Sequence, residues 1–108
     1  MQADKEKLQQ LFRENQALFV ALGDKSRQKI LLLVGDAKRL SVGEIATKMS
    51  MSRPAVSHHI KILRESDLLG EQRHGVRRYY YPIFSSHIPT LRRLTTLLET
   101  LQNTTGDK

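Results

Sequence analysis

The chain has 108 residues, enough for a single domain over 1–108 that buries about two-thirds of the surface its unfolded form exposes, and too few for a deep enclosed active site in one copy. Lys and Arg number 18 against 11 Asp and Glu, a net charge of +7, which favours a polyanionic partner, nucleic acid ahead of an anionic membrane surface. Without cysteine the chain has no disulfide, thiolate metal site or thiol nucleophile, which fits a cytoplasmic location. The charged start MQADKEKLQQLF lacks the apolar run of a signal peptide, so none is expected, and no 18-residue apolar run is present to span a membrane.

Apolar residues at Leu8, Leu11, Phe12, Leu18, Phe19 and Leu22 recur at helical spacing and predict a first helix ended by Gly23. Asp24 is the expected N-cap of a second helix carrying Ile30, Leu31, Leu33 and Val34, with Gly35 closing it. Ser41 and Glu44 have the S-x-x-E spacing of a capping box, so a short third helix follows over 42–48. After the turn MSM, Ser52 caps a fourth helix with Pro54 in its first turn, running to about Ser66.

The stretch GEQRHGVRRYYYP, from Gly70 to Pro82, reads as a basic β-hairpin turning at Gly75. Its three tyrosines alternate between the two faces, which favours packing over stacking on exposed bases. Ser85 or Ser86 is expected to cap a last helix with Pro89 in its first turn and an apolar face of Ile88, Leu91, Leu94, Leu97, Leu98 and Leu101, followed by a frayed tail, NTTGDK. The order of four helices, a hairpin and a fifth helix is that of a mainly α fold with a β-hairpin wing, a winged helix-turn-helix.

The adjacent histidines in SRPAVSHHIKILRESDLL separate once the helix is drawn. At about 100° per residue, Val56, Ile60 and Leu63 share a core-facing direction, His58 lies about 200° from Val56 with Pro54, Lys61 and Glu65, and His59 lies about 60° from Val56. His58 is expected to point outward and His59 to make a half-buried hydrogen bond. Lys48, Arg53, Lys61 and Arg64 follow one another without an intervening acid, whereas an ordinary solvated face mixes signs.

In a helix-turn-helix the start of the second helix reaches base edges, so Ser52, Arg53, Ala55, Ser57 and His58 are the candidates there. Arg73, His74, Arg77 and Arg78 around Gly75 suit phosphates or a narrow minor groove. The expected DNA-contacting set is Lys48, Ser52, Arg53, Pro54, Ala55, Ser57, His58, Lys61, Arg73, His74, Arg77 and Arg78. Catalysis is not expected: His58 and His59 diverge by about 100°, and no carboxylate or nucleophile orients them.

The segments ALGDKSRQKILLLV, LSVGEIATKMSMSRPAVSHHIKILRESDLL and RHGVRRYYYPI, in this order, resemble the ArsR/SmtB family of bacterial winged-helix repressors, closely over 21–83 and by position in the terminal helices. The resemblance implies a homodimeric transcriptional repressor on a palindromic double-stranded DNA operator, with terminal helices at about 5–22 and 86–103 forming the interface. The apolar faces of those helices fit a dimer, although packing within one subunit would use the same residues.

Many members of that family hold metal through a Cys-x-Cys pair, and the matching positions here are Ser41 and Gly43. Others use an Asp and a His near the start of the last helix and a later pair on the partner subunit, matched here by Ser85, His87, Leu98 and Leu101. One ligand of four survives, and a zinc site needs three or four. No metal or other cofactor is therefore expected, which leaves an unidentified small effector or control by expression level. The alternative reading is a winged helix for RNA binding or protein interaction.

Overall fold

The computed structural model describes residues 2–105. Helices α1 (Gln2–Leu22), α2 (Lys25–Ala37), α3 (Val42–Met49) and α4 (Arg53–Glu65) precede strands β1 (Leu69–His74) and β2 (Arg77–Pro82), and α5 (Ile88–Thr105) follows. Three of the four expected caps form. Asp24 accepts the Arg27 N–H at 3.0 Å, Ser41 and Glu44 exchange the reciprocal bonds of a capping box, and the Ser52 hydroxyl accepts the Ala55 N–H at 3.2 Å.

Helix ends depart from expectation in two places. Gly35 does not close α2, which continues to Ala37; Lys38 terminates it at φ 74°, its N–H donating to the Gly35 carbonyl. Glycine inside a helix is tolerated at a cost of about 1 kcal/mol relative to alanine, and the chain reverses only where Lys38 leaves helical space. Ser85 and Ser86 do not cap α5. His87 occupies that position, its carbonyl accepting the Leu91 N–H at 2.9 Å, because its side chain is anchored in the interior. The last helix extends through Asn103, Thr104 and Thr105 rather than fraying there, and Gly106, Asp107 and Lys108 lie outside the described residues.

One core joins the elements: Leu18 and Ala21 of α1, Ile30 and Val34 of α2, Ile45 of α3, Val56, Ile60 and Leu63 of α4, and Leu40, Leu68, Leu69 and Tyr80. The three α4 residues are those whose helical angles coincide. β1 and β2 pair antiparallel from Leu69 opposite Pro82 to His74 opposite Arg77. Gly75, at φ 65°, and Val76 form the two-residue turn, with the positive φ at its first central position that glycine accommodates. Leu40 and Tyr80 exchange backbone hydrogen bonds of 3.0 and 2.8 Å, so the loop between α2 and α3 lies beside β2 as a third extended segment.

The apolar stripe of α1 is wider than the face it buries. Leu11 and Leu18 pack inward, while Phe12 and Phe19 are 48% and 45% exposed. α5 divides similarly, with Leu94 buried but Ile88 and Leu98 exposed. α1 and α5 pack on each other, joined by an Arg93–Glu14 ion pair at 3.5 Å and by Asn15, whose buried Nδ2 donates to the carbonyls of Leu11 and Thr90 at 2.9 and 3.3 Å.

Candidate nucleic-acid interface

α3, its turn and α4 position the first half of the interface. Ser50 takes a left-handed conformation at φ 53°, and Met51 folds back through its N–H to the Ala46 carbonyl at 3.1 Å, which brings Ser52 to the start of α4. Because the Ser52 oxygen already accepts the Ala55 N–H, its hydroxyl hydrogen is the part left to donate. Proline in the first turn leaves no helical N–H wanting. Val56, Ile60 and Leu63 bury the opposite side of α4, so Arg53, Pro54, Ser57, His58 and Lys61 are exposed and Ala55 is half-buried.

The wing supplies the second half. Arg73, His74, Arg77 and Arg78 are exposed, and Arg73 stands directly opposite Arg78 in the ladder. Like charges in that register repel unless an anion lies between or beside them. Tyr80 is buried, and desolvation raises its pKa so that the phenol keeps its proton. Tyr81 packs across its ladder partner Gly70, where a Cβ would come within 2.4 Å of the phenol ring. Tyr79 and Tyr80 point to opposite faces, so the tyrosines serve packing as their alternation predicts.

Six of the expected residues or their neighbours share one groove of about 790 Å³ between α3, α4 and the wing: Lys48, Arg53 and Ser57 on one wall, Val76, Arg77 and Arg78 on the other. Gly43 lets Arg53 lie against α3, since a Cβ there would stand 2.7 Å from Nη2. Lys61 opens on an adjoining groove with Ser57 and Arg78. Ser52, Pro54, Ala55, His58, Arg73 and His74 lie outside both linings. His58 projects from the outer side of α4, its ring centroid 6.0 Å from that of His59. His59 makes the expected half-buried contact, its Nδ1 3.3 Å from Arg27 Nη1.

The groove also holds a carboxylate. Glu44 lines it and is held in its ionised form mainly by the Ser41 N–H, then by the Ser41 hydroxyl, with Arg77 and Lys48 adding attraction; all lower its pKa. Arg77 is raised further above its usual value, first through its bond with the Tyr79 phenol. On the wing's inner face Glu71 is neutralised by Arg64 at 3.0 Å.

Two residues outside the expected set prove structurally prominent. Arg27 gathers the carbonyls of Val20 and Ala21 at 3.1 and 2.9 Å as well as His59. Arg39 reaches onto the wing, donating from Nη1 to Gln72 Oε1 at 3.2 Å and to His74 Nε2 at 2.6 Å. The available signal for Arg39 was its place one residue before Leu40, at the edge of a segment that can pair with the hairpin.

The positions at which related proteins ligate metal do other work here. Ser41 is committed to its cap, and Gly43 has no side chain. His87 is 9% exposed, and its Nε2 must donate to the Ser66 carbonyl at 2.6 Å because a carbonyl can only accept. It is an interior anchor rather than a surface residue. Among the described residues no three His, Asp or Glu side chains gather as a metal site would require.

Residues 24–70 match the family described as bacterial regulatory protein, arsR family. The chain is 37% identical over 65 residues to the transcriptional repressor SdpR of Bacillus subtilis strain 168, covering 58% of this chain and 69% of that protein. Among solved structures, an ArsR-like transcriptional regulator from Rhodococcus sp. RHA1 superposes with a TM-score of 0.75 at 27% identity, over 83% of this chain and 82% of that one. The homodimeric winged helix-turn-helix DNA-binding domain of Mb0332 from Mycobacterium bovis shares the fold, with a TM-score of 0.63 at 23% identity over 84% and 81% of the two chains. The chain therefore belongs to the arsR family, as a DNA-binding transcriptional regulator of the winged helix-turn-helix class and not an enzyme.

Proposed function

We propose that the protein is a homodimeric repressor that binds a palindromic double-stranded DNA operator, and that no metal at the family's usual positions controls it. The start of α4 enters the major groove, where Arg53, Ser57 and His58 reach base edges and Ser52 and Ala55 lie close to the backbone and to thymine methyls. Lys48 and Lys61 neutralise phosphates beside the helix. Arg73, His74, Arg77 and Arg78 carry the wing onto the adjacent minor groove.

The observation that carries this reading is the groove in which Lys48, Arg53 and Ser57 face Arg77 and Arg78 across one concave surface. The opposed Arg73 and Arg78 support it, because a polyanion relieves their repulsion. Duplication of the chain is supported by the large apolar side chains that the two packed terminal helices leave exposed, Phe12 and Phe19 on α1 and Ile88 and Leu98 on α5. Exposed apolar surface on a small domain suits an interface, and two-fold symmetry doubles the phosphate and base contacts of each reader. The whole chain, 1–108, then acts as one domain whose terminal helices join two copies.

Selection of bound sequences from a random duplex pool, with and without a panel of divalent metals and arsenite, tests the reading. The expected product is an inverted repeat with half-sites about one helical turn, 10 base pairs, apart, unchanged by the metals. Enrichment of a lone half-site, release by a metal, or stronger competition from structured RNA would overturn it.

A further inference from the structure

The wing is charged on both faces, and the outer face owes part of its charge to a residue from elsewhere in the chain. Alternation along the strands sends Glu71, Arg73, Arg78 and Tyr80 to the side that packs on the body, and Gln72, His74 and Tyr79 to the other; Arg77, next to the turn, shares the register of the second group, but its side chain also lines the groove. Arg39 joins the second group. The Leu40–Tyr80 bridge sets it diagonally across from Tyr79, and its Cζ lies 4.7 Å from the centre of that ring, within the range of a cation–π contact. The His74 ring meets Tyr79 edge-on, with centroids 5.7 Å apart and planes at 77°.

Nη1 makes both of the polar bonds of Arg39, to Gln72 and His74. Among the described residues no carboxylate pairs with Arg39, since the ion pairs there are Arg64–Glu71 and Arg93–Glu14. Its Nε and Nη2 hydrogens are therefore held at the surface by a stacked, twice-bonded guanidinium with no neutralising acid. A planar fork fixed in this way is suited to a phosphodiester oxygen, and little side-chain freedom is left to lose on binding.

The position agrees with that chemistry. His74 and Arg77 are the last pair before the turn, and Gln72 and Tyr79 lie two residues behind them on the same ladder, about 7 Å at roughly 3.3 Å per residue. A wing tip in a minor groove about 6 Å wide has a row of phosphates along each of its faces. Arg73 and Arg78 face one row, and Arg39 stands on the side of the other.

We propose that Arg39, from the loop between α2 and α3, is a DNA phosphate contact on the outer face of the wing, with Tyr79, Gln72 and His74 as its positioning residues. The inference rests on the duplex-DNA reading above and adds to it a residue that belongs to neither the recognition helix nor the hairpin.

The test is the binding of the full chain to a selected duplex and to a scrambled one across a salt series, with Arg39→Ala, Arg39→Lys and Tyr79→Leu, and with melting temperature as a check on folding. Arg39→Ala is expected to weaken both duplexes by the same factor. The gap to the parent should narrow about threefold between about 50 and 200 mM salt, the change expected when one contact of slope about −0.9 is lost. Arg39→Lys should keep the slope and lose part of the affinity, and Tyr79→Leu should lose affinity on both duplexes. Parallel salt slopes for parent and Arg39→Ala, or a loss confined to the selected duplex, would overturn the proposal while leaving the DNA reading intact. A parent chain that binds no duplex would overturn both.

Discussion

Arg27 and His59 meet 3.3 Å apart, guanidinium to Nδ1, and through that contact the end of α1 is tied to the recognition helix. The same guanidinium takes the carbonyls of Val20 and Ala21 in the last turn of α1, where helical donors run out, although the Val20 carbonyl also accepts the Gly23 N–H at 3.3 Å. One side chain thus serves as the C-terminal cap of α1 and as a brace for α4. A guanidinium can only donate, so His59 accepts at Nδ1.

Arg27→Ala removes the brace and takes from the Ala21 carbonyl its part-buried donor. A loss of about 1 kcal/mol is expected, the order of one hydrogen bond lost from a part-buried group, and thermal unfolding of the variant should begin roughly 5 °C lower. A melting curve superposable on the parent's would show that the brace bears no load.

His58 and Arg77 should fail in different ways. His58→Ala is expected to change which bases are preferred at one position of each half-site, whereas Arg77→Ala should weaken binding to all duplexes and reduce the salt slope by about 1. Competition between point-substituted operators for each variant distinguishes them. Equal losses for His58→Ala on every sequence would remove it from the base-reading set.

Glu44 stands in the basic groove because the cap of α3 requires an acceptor there. Glutamine can make the same back-bond to the Ser41 N–H, so Glu44→Gln should keep α3 and remove a negative charge from the path of the phosphates. Affinity for any duplex should rise severalfold at low salt, with the gain fading as salt increases. A titration showing weaker binding would instead assign Glu44 a direct role in accepting from a base.

The two helix-capping carboxylates set an acid limit on stability. Asp24 is lowered chiefly by the Arg27 N–H and Glu44 chiefly by the Ser41 N–H. For a group depressed in the folded state, the stabilisation is fully present above its unfolded pKa and is lost as the pH falls through the folded one. Urea midpoints should therefore be flat above about pH 5 and fall below about pH 4. In Asp24→Asn and Glu44→Gln the fall should be shallower, and a slope identical to the parent's would contradict this origin.

The joint between the terminal helices is open to a direct test. Phe19→Asp places a charge on the exposed stripe of α1 without entering the core, so the chain should still fold but sediment at half the parent's mass. Operator affinity should fall by more than tenfold as the second half-site's contacts are lost. A variant that remains dimeric would move the interface elsewhere.

Much of this architecture could be read from spacing alone. Asp24, Ser41 and Ser52 announced three helix starts through local chemistry, and the angular positions of Val56, Ile60 and Leu63 separated His58 from His59 before any contact was known. What local chemistry could not supply was any feature decided by distant segments. Gly35 looked like a terminator, yet the turn waits for Lys38 because Leu40 must reach Tyr80. Ser85 and Ser86 looked like caps, yet α5 begins after His87 because that imidazole is fastened to Ser66, 21 residues earlier. Arg27 and Arg39 carried no motif of their own, since each acquires its role from partners on two other elements.

The two-residue turn at Gly75 and Val76 has a consequence for how this protein can change over generations. It locks the ladder so that each position in the wing belongs irrevocably to one face, and a shift of one residue exchanges the faces. A single inserted or deleted codon between the tip and Tyr80 would turn Arg78 away from the body and would unseat the tyrosine that closes the core. Substitutions can retune this wing one letter at a time, but its length is inherited almost as strictly as a reading frame.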